Sequence, residues 1–228
     1  MKKIFIGYDT RSDIPWQVCE HSIKRFNSNI KIEPLAQQDL RQRKLYWREP
    51  DKLGSTEFTF TRFLVPHIMD YKGWALCCDD DVIFLEDVQN LFNLADDKYA
   101  VMCVQHYHNP PPGMKMDGRV QSQYPRKNWS SVVLWNCGHP SNQKITVDLI
   151  NDKETTGKYL HRFAWLKDEE IGSLPHGWNW LVGWYREPED GKPKALHYTE
   201  GGPWFKNYRD CEYNQIWKDL LTETMQGK

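Results

Sequence analysis

Three consecutive aspartates, Asp79, Asp80 and Asp81, directly follow an apolar run that begins at Trp74. Adjacent carboxylates repel one another, by about 1 kcal/mol per pair at 4 Å in water and by more where solvent is partly excluded. In an extended backbone Asp79 and Asp81 point to one side and Asp80 to the other. Two carboxylates on one side are half of a site for Mg²⁺ or Mn²⁺, although an isolated Asp-x-Asp is more often a plain acidic loop.

The triplet lies at the end of a predicted strand, within an alternating series of strands and helices. Hydrophobic runs predict strands at residues 4–6, 30–33, 74–78, 99–104, 132–135 and 194–198. Helices are predicted at residues 13–26, 55–71, 87–94, 142–150 and 156–166 and from about residue 210, and Pro66 is expected to kink the second of them. This alternation predicts an α/β fold with a central, mostly parallel sheet, in which ligands bind beyond the carboxyl ends of the strands.

The composition excludes several classes of protein. The 228 residues suffice for one domain with a sizeable core. A net charge of −1 lacks the strongly basic face that nucleic-acid binding requires. No stretch approaches the roughly 18 uninterrupted apolar residues of a membrane span, and polar residues 9–11 follow the first apolar run too soon for a secretory signal. We therefore expect no membrane span and no nucleic-acid partner.

Cysteine usage and one basic segment bear on location. The six cysteines, at positions 19, 77, 78, 103, 137 and 211, include no Cys-x-x-Cys pair. In a chain of this length without a signal, that pattern predicts reduced, mostly buried thiols and a cytoplasmic location. The basic segment 41–48 predicts a solvated helix face or, alternatively, a surface that contacts acidic lipid or an acidic acceptor at the periphery of a membrane.

The residues around the triplet resemble a known enzyme family. Residues 59–92, TFTRFLVPHIMDYKGWALCCDDDVIFLEDVQNLF, resemble the donor-binding segment of the glycogenin-like, family 8-like GT-A glycosyltransferases. In that family a helix with an arginine, then a proline, leads to a hydrophobic strand, an Asp-x-Asp, an aliphatic stretch, an aspartate and a Leu-aromatic pair. The matching residues, in the same order, are Arg62, Pro66, Asp79, Asp81, Val82, Ile83, Asp87, Leu91 and Phe92.

Three further segments extend the resemblance over nearly the whole chain. Residues 127–136, KNWSSVVLWN, are similar to a family strand that ends in asparagine, although Trp-Ser-Ser stands where Asn-Ala/Ser-Gly is usual. Residues 168–179, DEEIGSLPHGWN, are similar to the acceptor-side Asp-Gln-Asp and Leu-Pro…Trp-Asn region. Residues 197–204, HYTEGGPW, are similar to the family's His-x-x-Gly-x-x-Lys-Pro-Trp segment.

The resemblance implies one glycosyltransferase domain of GT-A fold, with a donor-binding half at about residues 1–136 and an acceptor-side half at about 137–228. It implies Mn²⁺ or Mg²⁺ held by Asp79, Asp81 and His197, and a nucleotide sugar, with UDP-sugar favoured, whose diphosphate binds the ion. A glycan or glycolipid is the implied acceptor. The implied catalytic residues are Asp168 and Glu169, the acceptor-binding residues Glu170, Trp178 and Asn179, and the donor-binding residues Tyr8, Asp9, Arg11, Arg62, Asp80, Asn136, Gly201, Gly202 and Lys206.

Some of these assignments have alternatives, because the sequence departs from the family pattern. The family's lysine before Pro-Trp, which neutralises the leaving diphosphate, is missing; Gly202 stands in its place and Lys206 is the candidate substitute. Glu169 replaces the middle glutamine of the acceptor-side motif and could act as a general base, so retention and inversion both stay open, with retention favoured. Arg62 either contacts the donor or pairs with a carboxylate of the triplet. Tyr8, Asp9 and Arg11, which follow the first strand, could instead be ordinary turn residues.

Two other functions fit parts of the sequence. An Asp-x-Asp after a hydrophobic strand is also typical of haloacid-dehalogenase-type phosphatases, although their motif normally follows the first strand of the domain and has Thr or Val where this chain has Ile83. The 11 tryptophans, 11 tyrosines and 9 phenylalanines would suit a non-catalytic carbohydrate-binding protein, since aromatic faces pack against sugars. Glycan binding without metal or nucleotide would indicate the latter function.

Overall fold

The computed structural model describes residues 2–49, 56–107, 113–115, 119–121, 125–187 and 189–227. The strands are β1 (Lys2–Gly7), β2 (Ile32–Leu35), β3 (Trp74–Cys78), β4 (Val82–Phe84), β5 (Val101–Cys103), β6 (Gly113–Lys115), β7 (Arg119–Gln121), β8 (Val132–Asn136), β9 (Ile171–Ser173), β10 (Trp180–Leu181) and β11 (Ala195–His197). The α-helices are α1 (Asp13–Lys24), α2 (Gln37–Gln42), α3 (Val65–Ile68), α4 (Val88–Phe92), α5 (Val147–Asn151), α6 (Gly157–His161) and α7 (Asn214–Gln226). Short 3₁₀ helices cover Thr61–Leu64, Pro140–Lys144, Asp168–Glu170, His176–Asn179 and Lys206–Tyr208.

Six strands form the central sheet in the order β2-β1-β3-β8-β5-β9. β1 is parallel to β2 and β3, and β5 is parallel to β9, whereas β8 is antiparallel to both of its neighbours. All strands of this sheet except β8 therefore end at the same edge, here called the carboxyl edge; the opposite edge is the amino edge. The sequence-based prediction of an α/β fold with a mostly parallel sheet is confirmed.

A second, three-stranded sheet has the order β10-β11-β4. Since β4 begins directly after the aspartate triplet, the triplet is the connection between the two sheets. β11 is antiparallel to β4, with His197 paired to Val82. Tyr198 continues this pairing by donating its backbone N–H to the carbonyl of Asp81 at 3.0 Å. The register of β4 and β11 thus brings His197 to the triplet from far along the chain.

The unbroken apolar run of β3 is explained by two separate hydrophobic cores. Ala75 and Cys77 pack in one buried cluster with Phe63, while Leu76 and Cys78 pack in another. Alternate residues of a strand face opposite sides of the sheet, so a strand buried on both faces has no polar alternation. This double burial fixes the backbone of β3, and with it the position of the residues that follow.

The predicted helix at residues 55–71 is the largest local difference. Its residue Ser55 lies outside the described residues, and of the rest only the 3₁₀ helix Thr61–Leu64 and the short helix α3 are helical. Pro66 is in the first turn of α3, where its missing N–H is tolerated, so the proline starts a helix instead of kinking one. Asp70 and Tyr71 then adopt left-handed φ values of 51° and 53°, which end the helix.

Several of the elements that the sequence did not predict are short strands. β4, β9 and β10 contain two or three residues each, too few for a periodic pattern to show. Residues 106–127 are rich in proline and glycine, a composition that predicts a surface loop, and they include the hairpin of the antiparallel strands β6 and β7. Other parts of that loop lie outside the described residues.

The basic segment 41–48 is helical only in its first part, because α2 ends at Gln42. Arg43 pairs with Glu33 at 2.7 Å, and Arg48 donates to the backbone carbonyl of Asp152 at 2.6 Å. These guanidinium groups are therefore occupied within the protein. This corrects the prediction of a solvated helix face along the whole segment.

The prediction of buried thiols is confirmed, since all six cysteines lie in described ranges, form no disulfide and are buried except Cys211, which is half-buried. Burial raises the pKa of Cys137 to about 12 and that of Cys77 well above its usual value.

Among the described residues, none of the helices combines the length and hydrophobicity needed to cross a bilayer.

Candidate functional site

The carboxyl edge of the central sheet brings together Asp79, Asp81 and His197, here called the Asp-Asp-His cluster. Asp79 follows β3, Asp81 precedes β4 and His197 is the last residue of β11. One ligand atom from each residue lies within 4.8 Å of the others. Nε2 of His197 is 3.4 Å from Oδ1 of Asp81, and these residues are 2% and 6% exposed. The residues predicted to form one metal site are therefore adjacent in the fold.

The chemistry of the Asp-Asp-His cluster fits a divalent cation. Carboxylate oxygens suit Mg²⁺ and Mn²⁺, and neutral imidazole is a common ligand of transition metals. Two carboxylates this close repel each other strongly where water is largely excluded, and a bound cation would remove that repulsion.

Arg62 neutralises part of the negative charge in the cluster. Its guanidinium forms an ion pair with Asp79, donates to the carbonyl of Ser130 at 3.0 Å and lies 5.0 Å from the ring centre of Phe58. Burial raises the pKa of Asp79 to about 6, and the charge of Arg62 opposes the rise. Of the two roles that the sequence left open for Arg62, the structure shows the pairing with a triplet carboxylate.

Asp80 points away from the cluster, as the extended backbone predicted. Its Oδ2 atom accepts a hydrogen bond from Ser12 Oγ at 2.6 Å. Burial, and then the charge of Asp81, raise the pKa of Asp80 well above its usual value, while the bond from Ser12 opposes the rise. Sequence reasoning missed Ser12, although β1 and β3 are parallel neighbours and the segments that follow them must lie side by side.

The segment after β1 forms a second polar group beside the triplet. Asp9 is 2% exposed and is bound by the guanidinium of Arg11 and by the backbone N–H of Glu57 at 3.1 Å. Burial alone would raise the pKa of Asp9, but these hydrogen bonds hold it below its usual value. Tyr8 donates to Asp13 at 3.0 Å. Asp9 is therefore occupied within the protein, whereas half of the Arg11 side chain is exposed.

Gly201 and Gly202 are buried shortly after the end of β11, where they accommodate aromatic rings. Gly201 has a φ of +137°, and a Cβ atom there would lie 2.8 Å from the ring of Tyr208. A Cβ atom on Gly202 would lie 1.9 Å from the ring of Trp204. Packing thus requires glycine at both positions. Lys206 is exposed on the 3₁₀ helix that follows.

Asn136 and the 168–170 segment lie at the amino edge, away from the Asp-Asp-His cluster. Asn136 pairs with Trp74, the first residue of β3, because β8 is antiparallel to β3. Its amide donates to the carbonyls of Asp97 and Tyr99 at 3.2 and 3.1 Å. The structure therefore does not bring Asn136 to the site with which the sequence grouped it.

The three acidic residues Asp168, Glu169 and Glu170 directly precede β9, which runs parallel to β5. The carbonyl of Glu170 accepts from the backbone N–H of Ala100, at the start of β5. Asp168 pairs with Arg126, and its side chain is 89% exposed. Strand β9 lies between this segment and the carboxyl edge, so the structure does not bring these three residues to the Asp-Asp-His cluster.

Trp178 and Asn179, expected at the acceptor, are both inside the protein. Trp178 is 1% exposed and packs in a hydrophobic cluster with Leu174. Asn179 is fully buried, and its side-chain oxygen lies 2.9 Å from Nδ1 of His197. Asn179 therefore contacts His197 on the side of the ring that faces away from the other two residues of the cluster. The local sequence pattern did not indicate this interaction.

Comparison with known proteins places the chain in a family. No family model matches the sequence. The sequence is 53% identical over 225 residues to Protein CDI of Arabidopsis thaliana, with 97% of this chain and 86% of that protein covered. The chain belongs to the Protein CDI family.

Solved structures show which fold this Protein CDI relative has. The bifunctional glycosyltransferase WbbM matches with a TM-score of 0.66 at 14% identity over 98% of the chain, and GlyE of Streptococcus pneumoniae TIGR4 with 0.64 at 18% over 97%. The galactosyltransferase LgtC, solved with donor and acceptor sugar analogues, matches with 0.59 at 10% over 98% of this chain and 96% of its own. The chain spans only 51% of WbbM and 60% of GlyE. These matches confirm the predicted GT-A fold.

Proposed function

We propose that the protein is a metal-dependent glycosyltransferase, which moves a sugar from a nucleotide sugar, with UDP-sugar favoured, to an acceptor hydroxyl. The observation that carries this proposal is the convergence of Asp79, Asp81 and His197 at the carboxyl edge of a GT-A fold. Open α/β sheets bind ligands at that edge. Membership of the glycogenin-like family is part of the proposal, as is a glycan or glycolipid acceptor.

In the proposed reaction the Asp-Asp-His cluster holds Mn²⁺ or Mg²⁺ in a largely dry site. The bound cation would supply the positive charge that stabilises the leaving nucleotide diphosphate. Arg62 keeps Asp79 ionised and in place, since a protonated carboxyl group is a poor ligand. The exposed cations Arg11 and Lys206 are the candidates for the role of the missing family lysine.

Asp80 is the proposed contact to the donor sugar. Its carboxylate is held by Ser12 on the side of the chain opposite the metal ligands. In that orientation Asp80 can accept a hydrogen bond from a sugar hydroxyl while its neighbours bind the cation. Inversion was considered because Glu169 could act as a general base. Glu169 lies at the amino edge, away from the Asp-Asp-His cluster, and this position supports retention of the anomeric configuration as the proposed outcome.

We also propose that the chain forms a single domain and that it acts in the cytoplasm. Strand β9, from the expected acceptor-side half, completes the sheet that the donor-binding half begins, which supports a single domain. The buried, reduced thiols support a reducing compartment.

Thermal-shift screening tests the proposal directly. The protein is titrated with UDP, GDP, CMP and dTDP sugars, with and without Mn²⁺. One nucleotide sugar at 100 times its Kd should raise Tm by about 5–10 °C. EDTA or Asp81→Asn should abolish the shift, while Asp39→Asn, at an exposed acid paired with Arg43, should preserve it.

The other outcomes separate the competing functions. Stabilisation by free glycan, independent of metal and nucleotide, would indicate a carbohydrate-binding protein. Hydrolysis of phosphate esters without a nucleotide would indicate a phosphatase, although Asp79 follows the third strand of the chain instead of the first. Absence of any metal-dependent shift with all four nucleotides would overturn the transferase proposal.

A further inference from the structure

The imidazole of His197 contacts a buried polar network through Nδ1, the ring nitrogen that faces away from the Asp-Asp-His cluster. Its Nδ1 atom lies 2.9 Å from Oδ1 of Asn179 and 3.4 Å from Oγ of Ser131. The amide nitrogen of Asn179 lies 2.8 Å from Ser131 Oγ and 3.2 Å from the backbone carbonyl of Asn128. Ser131 Oγ lies 2.6 Å from the same carbonyl. Asn179 and His197 are 0% and 2% exposed, so water has little access to these groups.

The direction of every hydrogen bond in the network follows from one group that can only accept. The carbonyl of Asn128 has no proton, so the groups that contact it, the amide nitrogen of Asn179 and the hydroxyl of Ser131, must be donors. The Ser131 proton is then committed to that carbonyl, and Ser131 Oγ accepts from Asn179. With its nitrogen fixed as donor, the side chain of Asn179 presents its oxygen to the histidine.

An oxygen acceptor next to Nδ1 selects one form of the neutral imidazole. Nδ1 must carry the proton and donate it to Asn179, which leaves the lone pair on Nε2. Nε2 is the atom that faces Asp81 Oδ1 at 3.4 Å. A histidine that donates from its far nitrogen to a fixed acceptor is oriented for metal binding at the other nitrogen.

We propose that Asn179 is a positioning residue, which fixes His197 in the Nδ1–H tautomer with the Nε2 lone pair directed into the Asp-Asp-His cluster. The inference rests on the proposed metal site. It replaces the expectation that Asn179 binds the acceptor, because every polar atom of its side chain is used inside the protein. The backbone supports the arrangement: Asn128 adopts a left-handed φ of 63°, a conformation that asparagine tolerates better than most residues and that sets its carbonyl in this loop.

Asn142 provides a matched control. It is also fully buried, and its amide donates to the carbonyls of Ala100 and Asn136, both at 2.8 Å, near the amino edge. Asn142→Leu and Asn179→Leu therefore remove equivalent buried amides, but only the second amide contacts a proposed metal ligand. A purely structural role for Asn179 predicts similar behaviour of the two variants once each is folded.

The first test measures the tautomer in the metal-free protein. Long-range ¹H–¹⁵N spectra of the histidine rings, with His197 assigned by His197→Gln, should show a protonated Nδ1 and a bare Nε2 in the wild type and in Asn142→Leu. Asn179→Leu should show a mixture or the reverse form. A wild-type ring protonated on Nε2 would overturn the proposal, even if no variant folds and whether or not the protein binds metal.

The second test measures Mn²⁺ binding by isothermal titration calorimetry. Asn179→Leu should raise the Kd about 10–100-fold, and Asn142→Leu should leave it within about twofold. Equal Kd values for wild type and Asn179→Leu would refute the positioning role. Wild-type protein that binds no Mn²⁺ while its ring is protonated on Nδ1 would instead remove the metal site and leave the orientation of His197 established.

Discussion

Arg62 forms an ion pair with Asp79 inside the Asp-Asp-His cluster, and its other contacts hold that pair in place. The side chains of the two residues are 7% and 17% exposed. Removal of one partner of a buried pair leaves an uncompensated charge, which costs about 3–5 kcal/mol. We therefore expect Arg62→Met to lower the free energy of unfolding, measured by urea denaturation, by about that amount.

Arg43→Met is the control for this prediction. Arg43 pairs with Glu33 and Asp39 at the surface, with 39% of its side chain exposed. Exposed pairs contribute about 0–1 kcal/mol, so this variant should unfold almost as the wild type does. Equal losses in the two variants would contradict a special role for the Arg62 pair.

The metal-free protein should lose stability from Asp79 as the pH rises. The pKa of Asp79 is raised from 3.8 to about 6 in the folded protein, mainly by burial. Between these values the folded state holds a proton that the unfolded state has released, so the free energy of unfolding falls with rising pH. At about 1.4 kcal/mol per unit, the loss is about 3 kcal/mol across the window.

The comparison with Asp79→Asn isolates this contribution, since other titrating groups are common to both proteins. The stability of the variant relative to wild type, from urea unfolding with EDTA at pH 4–7, should increase as pH rises. Excess Mn²⁺ at pH 7 should restore the wild type, because the cation binds the ionised carboxylate. A difference that stays flat with pH would show that Asp79 titrates at its ordinary value.

Ser12→Ala should weaken donor binding without weakening metal binding. Ser12 supplies a hydrogen bond to Asp80, while the metal ligands point to the other side of the chain. Loss of a bond to a charged group of this kind costs about 1.5–3 kcal/mol, so the Kd for the nucleotide sugar should rise about 10–100-fold. Calorimetry should show a Kd for Mn²⁺ within about twofold of wild type.

The helix that Ser12 precedes offers an internal check on that variant. The Ser12 side chain makes no capping hydrogen bond to α1, so its removal should lower Tm only through the lost bond to Asp80 and should leave α1 intact. Ser12→Thr, which retains the hydroxyl, should bind donor as the wild type does. A matching loss of Mn²⁺ affinity in Ser12→Ala would contradict the separation of the two sides.

The placement of Asp79 and Asp81 on one side of the chain could be predicted from the sequence, because its signal is local. The buried strand β3 has an unbroken apolar pattern, and an extended chain after it must direct Asp79 and Asp81 to one side. His197 required the family resemblance, since only the pairing of β11 with β4 brings it to the aspartates. Pairing between distant strands leaves no periodic signal in a short segment.

Strand direction explains why Asn136 and the 168–170 segment lie away from the Asp-Asp-His cluster. Asn136 ends β8, and the end of a strand lies at the carboxyl edge only if that strand is parallel to its neighbours; β8 is antiparallel. The 168–170 segment precedes β9, a strand of three residues that sequence patterns did not reveal. The burial of Asn179 could not be predicted, because burial of a polar side chain depends on partners such as Ser131, which the sequence does not identify.

Gly7, the last residue of β1, is linked to the Asp-Asp-His cluster through Phe58. A Cβ atom on Gly7 would lie 2.3 Å from Cδ2 of Phe58, whose ring lies against the guanidinium of Arg62. Gly7→Ala must displace that buried ring, and overpacking of this kind costs about 1–3 kcal/mol. We expect that loss in urea denaturation, together with weaker Mn²⁺ binding, because a displaced ring disturbs the arginine that holds Asp79. Gly113→Ala, where no atom of the described residues lies within 4 Å of the added Cβ, should change neither quantity. Lost stability with unchanged Mn²⁺ affinity would show that the Phe58 ring supports the core alone and that Arg62 holds Asp79 without it.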